Sequence, residues 1–168
     1  SGLVGSEMCI RDRKYVDGYK FYFGTDGKMV QDVDKLIGKQ SSYRITVNRV
    51  KCQVTVYAAN ETGNYCIPVK TFTCSVGLPS TPTPTGTFYT PVKYRWHEMI
   101  GNCYAQYCTR ITTGILFHSV WYYKNGDKST MSVKAYNVMG QKASHGCVRL
   151  LCKDSKWIYD PVSYTHLT

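Results

Sequence analysis

Alternation of apolar and polar residues at a period of two dominates this chain, and helical spacing is scarce. Tyr43-Arg44-Ile45-Thr46-Val47-Asn48 and Val54-Thr55-Val56-Tyr57 read as half-buried strands, because successive strand side chains point to opposite faces. The turn signal at residues 60–63 (Asn-Glu-Thr-Gly) separates them from a third strand over 65–73. Further strands are expected at 87–90, 110–120 and 132–136. Residues 78–84 carry three prolines, which lack the N–H that a central strand needs, so an exposed loop is expected there. Residues 153–159 give the best helix, and 32–40 read as a connector with one helical turn closed at Gly38. Near the start, residues 15–30 alternate aromatics with polar residues and turn at Asp26-Gly27, a hairpin signal. The fold class is therefore mainly β, with a short helix near the end.

At 168 residues the chain is long enough for one domain with a true core plus a small appendage. Its ends follow a different logic. Residues 1–13 and 161–168 show neither alternation nor turn chemistry, resemble translated sequencing-adapter DNA, and are expected to pack poorly. Cys9 and His166 are accordingly given no role. The net charge of +10 suits a polyanionic partner as well as it suits solubility. Nucleic acid is disfavoured, because the basic residues are scattered and no nucleic-acid motif is present. No stretch is long and apolar enough to span a bilayer, and no secretory signal precedes the first strand.

Of eight cysteines, an odd number remains once Cys9 is set aside, which fits one reactive thiol. Cys103 and Cys108 are close enough in sequence to bridge across a turn, though spacing alone establishes no bridge. No Cys-x-x-Cys pair occurs, which speaks against structural zinc or a thioredoxin-type motif.

The chemistry concentrates in Ser144-His145-Gly146-Cys147-Val148-Arg149-Leu150. A thiol attacks only as thiolate, and a nearby imidazole is the usual group that makes it one. Gly146 leaves the backbone beside the sulfur uncovered, so the Gly146 and Cys147 amides are oxyanion-hole candidates. Upstream, His118 sits in the apolar run Gly114-Ile115-Leu116-Phe117-His118-Ser119-Val120, which would hold it rigidly. Spacing does not say whether His118 or His145 is the base; His118 is favoured.

Ser-His-Gly-Cys-Val-Arg preceded by a strand-borne histidine closely resembles the active-site signature of the L,D-transpeptidase (YkuD-like) family. Thr83-Pro84-Thr85-Gly86-Thr87-Phe88 resembles the family's strand entry, and residues 143–160 resemble the segment after the nucleophile. The resemblance implies a β-sandwich or barrel-type catalytic domain over 41–160, with Cys147 as acyl-accepting nucleophile and His118 as base. Ser119 would orient His118 through its backbone carbonyl, and His145 would join the catalytic group by tuning the charge at the sulfur or contacting substrate. Ser144 and Gly146 would serve as orienting or oxyanion residues, and Arg149 would hold a substrate carboxylate or make a structural salt bridge. It implies action on peptidoglycan stem peptides without a metal or organic cofactor, with anionic wall polymers as further partners. It also implies a secreted, wall-associated protein of Gram-positive type whose signal peptide lies outside this sequence, and a closing strand missing beyond Asp160. An Asn-Gly loop over 122–130 lies between His118 and Cys147, where many members are shorter, and is expected to wall the cleft. Tyr94, Trp96 and His97 read as a loop-like stretch capping it, with His97 structural. Residues 14–40 resemble a single cell-wall-binding repeat of the choline-binding type, and one repeat cannot bury its own face. An L,D-carboxypeptidase using the same site and a non-catalytic wall-binding protein are the alternatives, with a zinc hydrolase built on His118, His145 and Cys147 third.

Overall fold

In the computed structural model, which describes residues 10–89, 92–160 and 165–167, twelve strands and three short α-helices are placed. The chain opens with a hairpin of β1 (Ile10–Val16) and β2 (Tyr19–Gly24). Its turn falls at Asp17-Gly18; the expected turn at Asp26-Gly27 comes later and folds Met29 back against Phe23. Helix α1 (Asp34–Ile37) is the single turn expected of the connector and closes at Gly38.

The main sheet runs β6-β12-β3-β4-β5-β11-β9-β8-β7, where β3 is Tyr43–Asn48, β4 Gln53–Ala59, β5 Tyr65–Gly77 and β6 Phe88–Tyr89. The remaining strands are β7 (Lys93–Met99), β8 (Cys103–Thr112), β9 (Ile115–Ser119), β11 (Val148–Leu150) and β12 (Thr165–Leu167). Strand β5, 13 residues long, belongs to both halves of the fold. Its first part pairs with β4, and Cys74 and Ser75 pair with β11. Pro68 is accommodated inside it beside a register shift, where a ladder N–H is dispensable. Alternate residues of β3 and β4 (Tyr43, Ile45, Val54, Val56, Ala58) point into one core with Val69, Phe72, Phe117, Val148 and Leu150.

Several expectations are corrected. The run 110–120 is two strands, broken by a hairpin at Thr113-Gly114. Residues 132–136 do not form a strand: Ser132 Oγ accepts the Ala135 N–H and caps helix α2 (Val133–Asn137). Residues 94–97 are strand β7, paired with β8, not a loop. The short strand β10 (Lys142–Ser144) runs parallel to β5, and helix α3 (Cys152–Tyr159) follows β11.

The ends also depart from expectation. Residues 1–9, 161–164 and 168 lie outside the described residues, but Ile10–Arg13 belong to β1, and β12 pairs with both β3 and β6. The sheet edge expected to stay open beyond Asp160 is therefore covered. The N-terminal hairpin packs on the sheet rather than standing apart: Tyr22 and Val33 join the core, and Tyr19 packs against Tyr57 at 5.6 Å. Lys70 of β5 pairs with Asp32 at 2.9 Å and Asp34 at 3.5 Å. The Trp157 indole N–H of α3 donates to Asp34 at 3.1 Å, so the connector is tied to two elements at once.

Candidate active site

The turn that joins β10 to β11 carries Cys147, and the end of β5 fixes both of its flanks. Ser144 pairs with Gly77 on one side, and Arg149 with Ser75 on the other. Strand β11 also runs parallel to β9, with Val148 opposite Phe117 and Arg149 opposite His118. Adjacent strands of one sheet thus deliver the cysteine and the upstream histidine to the same end of the fold.

Within the turn, the Ser144 hydroxyl donates to the Cys147 carbonyl at 2.6 Å and accepts the Gly146 N–H at 3.2 Å. The Gly146 amide, expected to be free for an oxyanion, is occupied by Ser144 here. Gly146 adopts φ 122°, a conformation that L side chains rarely take, and a Cβ there would stand 2.9 Å from Ile115 Cδ1. Glycine is a backbone requirement at this position.

The proline-rich loop clamps the same turn. Thr83, nearly buried, accepts the Gly77 N–H at 2.9 Å and donates to the Gly146 carbonyl at 2.8 Å. The Leu78 N–H and the Thr81 hydroxyl both donate to the Ser144 carbonyl. Arg49 in turn donates to the Thr83 carbonyl at 2.8 Å. Gly77 is needed for this approach: a Cβ there would lie 2.1 Å from the Thr81 carbonyl oxygen and 2.6 Å from Thr83 N. The strand-entry motif was legible in the sequence; the role of its threonine as a latch on the cysteine turn was not.

Cys147 and His118 line one cavity of about 490 Å³. The Cys147 Sγ accepts the Leu116 N–H at 3.4 Å and, as thiol, donates to the Gly114 carbonyl at 3.6 Å. Burial pushes the thiol above its ordinary value, while the Leu116 N–H and the Arg149 guanidinium pull it back. His118, 3% exposed, is driven down to about 4, chiefly by burial, with Arg149 and His97 adding to the effect. The bond from its Nδ1 to the Ser119 carbonyl, 2.5 Å long, opposes that shift. This bond also sets the tautomer, leaving Nε2 without a hydrogen as the acceptor. The Ser119 hydroxyl is fixed too, accepting from the Gln106 N–H and donating to the Val120 carbonyl. No hydrogen bond joins Cys147 Sγ to either histidine among the described residues. Both shifts favour the uncharged form of the group concerned.

His145 is exposed at the cavity wall, and Arg149, 8% exposed, also lines it. Arg149 makes no salt bridge among the described residues, and its Nε is buried without a partner, so the structural ion pair weighed from sequence is not formed. Tyr94 and His97 of β7 line the cavity, whereas Trp96 packs on Tyr122 at 5.1 Å. From the expected wall loop, Tyr123 reaches the cavity and Tyr122 is buried, its hydroxyl accepting from Gln106 at 2.6 Å. Cys103 and Cys108 are both free thiols; Cys103 lines the cavity while Cys108 is buried. His118, His145 and Cys147 do not form a metal-ligand set, and no group of three or more metal-ligating side chains occurs among the described residues.

The catalytic domain of the L,D-transpeptidase (YkuD) family matches residues 42–165, from the start of β3 into β12 and across the whole cavity. The chain belongs to this family. As an L,D-transpeptidase family member it is 37% identical over 101 residues to YciB of Bacillus subtilis (strain 168), itself provisionally assigned as an L,D-transpeptidase. That match covers 56% of this chain and 50% of YciB, so the chain spans about half the length of its curated relative. A Clostridium acetobutylicum ATCC 824 structure, described as a fused Zn-dependent amidase/peptidase/peptidoglycan-binding domain-containing protein, is 28% identical. It aligns with a TM-score of 0.56 over 74% of this chain and 50% of that one. The fold is shared with an L,D-transpeptidase from Mycobacterium smegmatis, at 21% identity and TM-score 0.57 over 93% of this chain and 65% of that one. The family's β-sandwich architecture is therefore that of this chain. No described helix is long and apolar enough to cross a membrane.

Proposed function

We propose that this protein is a cysteine-dependent L,D-transpeptidase acting on peptidoglycan stem peptides at the bacterial cell wall. The observation that carries the reading is one cavity holding Cys147 together with a buried His118 whose Nδ1 is committed to the Ser119 carbonyl. An imidazole held that way keeps Nε2 unprotonated, the acceptor for the thiol proton. The orienting carbonyl serves as third member of the catalytic group.

His118 removes the Cys147 proton as the sulfur attacks the carbonyl of the L-centre in the third residue of a tetrapeptide stem. The Cys147 N–H stabilises the oxyanion, since the Gly146 N–H is held by Ser144. The imidazolium returns its proton to the departing amine of the terminal D-residue, leaving a thioester on Cys147. An acceptor side-chain amine, deprotonated by His118, attacks the thioester and forms a third-residue to third-residue cross-link. If water attacks instead, the same site works as an L,D-carboxypeptidase. Arg149 holds the carboxylate of the terminal D-residue, because it is a buried guanidinium beside His118 without a protein carboxylate. His145, exposed on the cavity lining, tunes the charge near the sulfur or contacts substrate. Wall association and secretion fit this reading.

Incubation with a carbapenem followed by intact mass measurement tests it. A covalent adduct on Cys147, absent in Cys147→Ala, is the expected result, and turnover of a tetrapeptide stem by Cys147→Ala would overturn it. With tetrapeptide donor and an amine acceptor, cross-linked product separates transpeptidation from hydrolysis.

A further inference from the structure

We infer that Arg110 completes a two-guanidinium cradle with Arg149, so that this cavity selects an acyl donor with two carboxylates. Arg110 reads the second of these, on the side chain of the residue that becomes the acyl group. The inference rests on Cys147 being the nucleophile toward stem peptides.

Arg149 already marks one anion position. It is more than nine-tenths buried, it lines the cavity, its Nε has no partner, and no described carboxylate pairs with it. A guanidinium desolvated this far without a counter-charge is costly, and a substrate carboxylate bound bidentately offsets that cost. Strand register puts Arg149 directly beside His118, where the leaving group must receive its proton.

Arg110 reaches the same cavity from a different strand. On β8 it pairs with Leu116 of β9, and the Leu116 N–H is the group that donates to Cys147 Sγ. Cys147 precedes β11, the next strand over, so the backbones of Arg110 and Cys147 are two strand spacings apart, roughly 10 Å. A guanidinium on its long stem spans most of that distance. The Arg110 side chain lines the same cavity, is exposed, and has no ion pair or hydrogen bond among the described residues. Glu98 is the one carboxylate among the lining residues, so the cavity presents an excess of positive charge to its occupant. The two arginines therefore enter the cavity from different strands, Arg149 beside His118 and Arg110 beside Leu116, so each can take one carboxylate of a donor lying across the sulfur. A stem peptide matches this when its terminal residue ends in a carboxylate and its third residue carries a free side-chain carboxylate. Amidation of that third residue removes the charge Arg110 would read.

The test compares two tetrapeptide donors, identical except that the third residue's side-chain carboxylate is free or amidated. Wild type, Arg110→Gln and Arg110→Lys are assayed on both, with carbapenem adduct mass on Cys147 followed in parallel. The expected wild-type preference for the free acid is about 10-fold or more in kcat/KM, the scale of a charge-assisted hydrogen bond. It should reside mainly in KM, fall toward unity in Arg110→Gln by loss on the free-acid donor, and be partly kept in Arg110→Lys. Wild type that forms the Cys147 adduct but treats acid and amide alike overturns the Arg110 assignment alone, as does an Arg110→Gln that keeps the preference. Wild type that forms neither adduct nor product overturns the reading of the site itself.

Discussion

The burial of His118 has two measurable consequences at the scale of single residues. Its folded-state value of about 4 lies below the ordinary imidazole value, so the unfolded chain binds more protons wherever pH falls between the two. Stability from this residue is fully present above about pH 6.5 and is lost as pH drops toward 4, by roughly 3 kcal/mol at the low end. Denaturant melts at pH 7 and pH 4.5 should show that loss in wild type and a smaller one in His118→Phe, which buries no titratable group. The same depression keeps His118 competent as a base down to mildly acidic pH, so adduct formation should stay on its plateau well below pH 6. At Cys147, substitution by serine keeps shape and turn but exchanges the thiol for a hydroxyl that is far harder to ionise. Cys147→Ser should melt like wild type and form no carbapenem adduct. Contiguity made these residues legible: Ser144 to Arg149 is one run, and its chemistry can be read without the fold. Arg110 was not legible, because only the register of β8 on β9 brings it to the cavity.

Among elements, the proline-rich loop is what holds the cysteine turn in shape, and Thr83 is its contact. Thr83→Val leaves the Gly77 N–H and the Gly146 carbonyl without the partner they share, at a cost of about 1–3 kcal/mol for unsatisfied buried groups. The expected result is a lower Tm and slower acylation of Cys147. Thr85→Val, at an exposed position two residues on, should change neither. Equal behaviour of the two variants would show that the loop does not position the turn. Elements with long, clean alternation, such as β3 and β4, were legible because one face is buried and the period is two. The short ones were not. Five residues headed by a serine fit a strand or a capped helical turn equally, and only the Ser132 cap decides for α2. The apolar run around Gly114 reads as one strand until the turn that folds β9 onto β8 is seen.

For the whole molecule, the question raised by the sequence is whether the first forty residues form a wall-binding module of their own. Local alternation shows a hairpin but not what it packs against, because docking depends on residues far along the chain. The packing argues for integration. Tyr22 and Val33 are buried in the same core as β3, β4 and β5, and Asp32 and Asp34 hold Lys70 and Trp157. Burying those two side chains contributes roughly 3–6 kcal/mol. That is a large share of the net stability of about 5–15 kcal/mol usual for a domain. The cavity, by contrast, draws its lining from residues 94–149 alone. Removing residues 1–40 should therefore lower Tm by roughly 10 °C or more, on the usual few degrees per kcal/mol for a chain of this size. It should leave the Cys147 adduct able to form at temperatures below the new melt. The paired measurement is a thermal melt and an adduct mass on both lengths of chain. An unchanged Tm would mean that the hairpin is a separate unit resting on the catalytic domain, as the single-repeat reading has it. A lower Tm with the adduct preserved would mean that it serves as part of the domain's scaffold while contributing nothing to its chemistry.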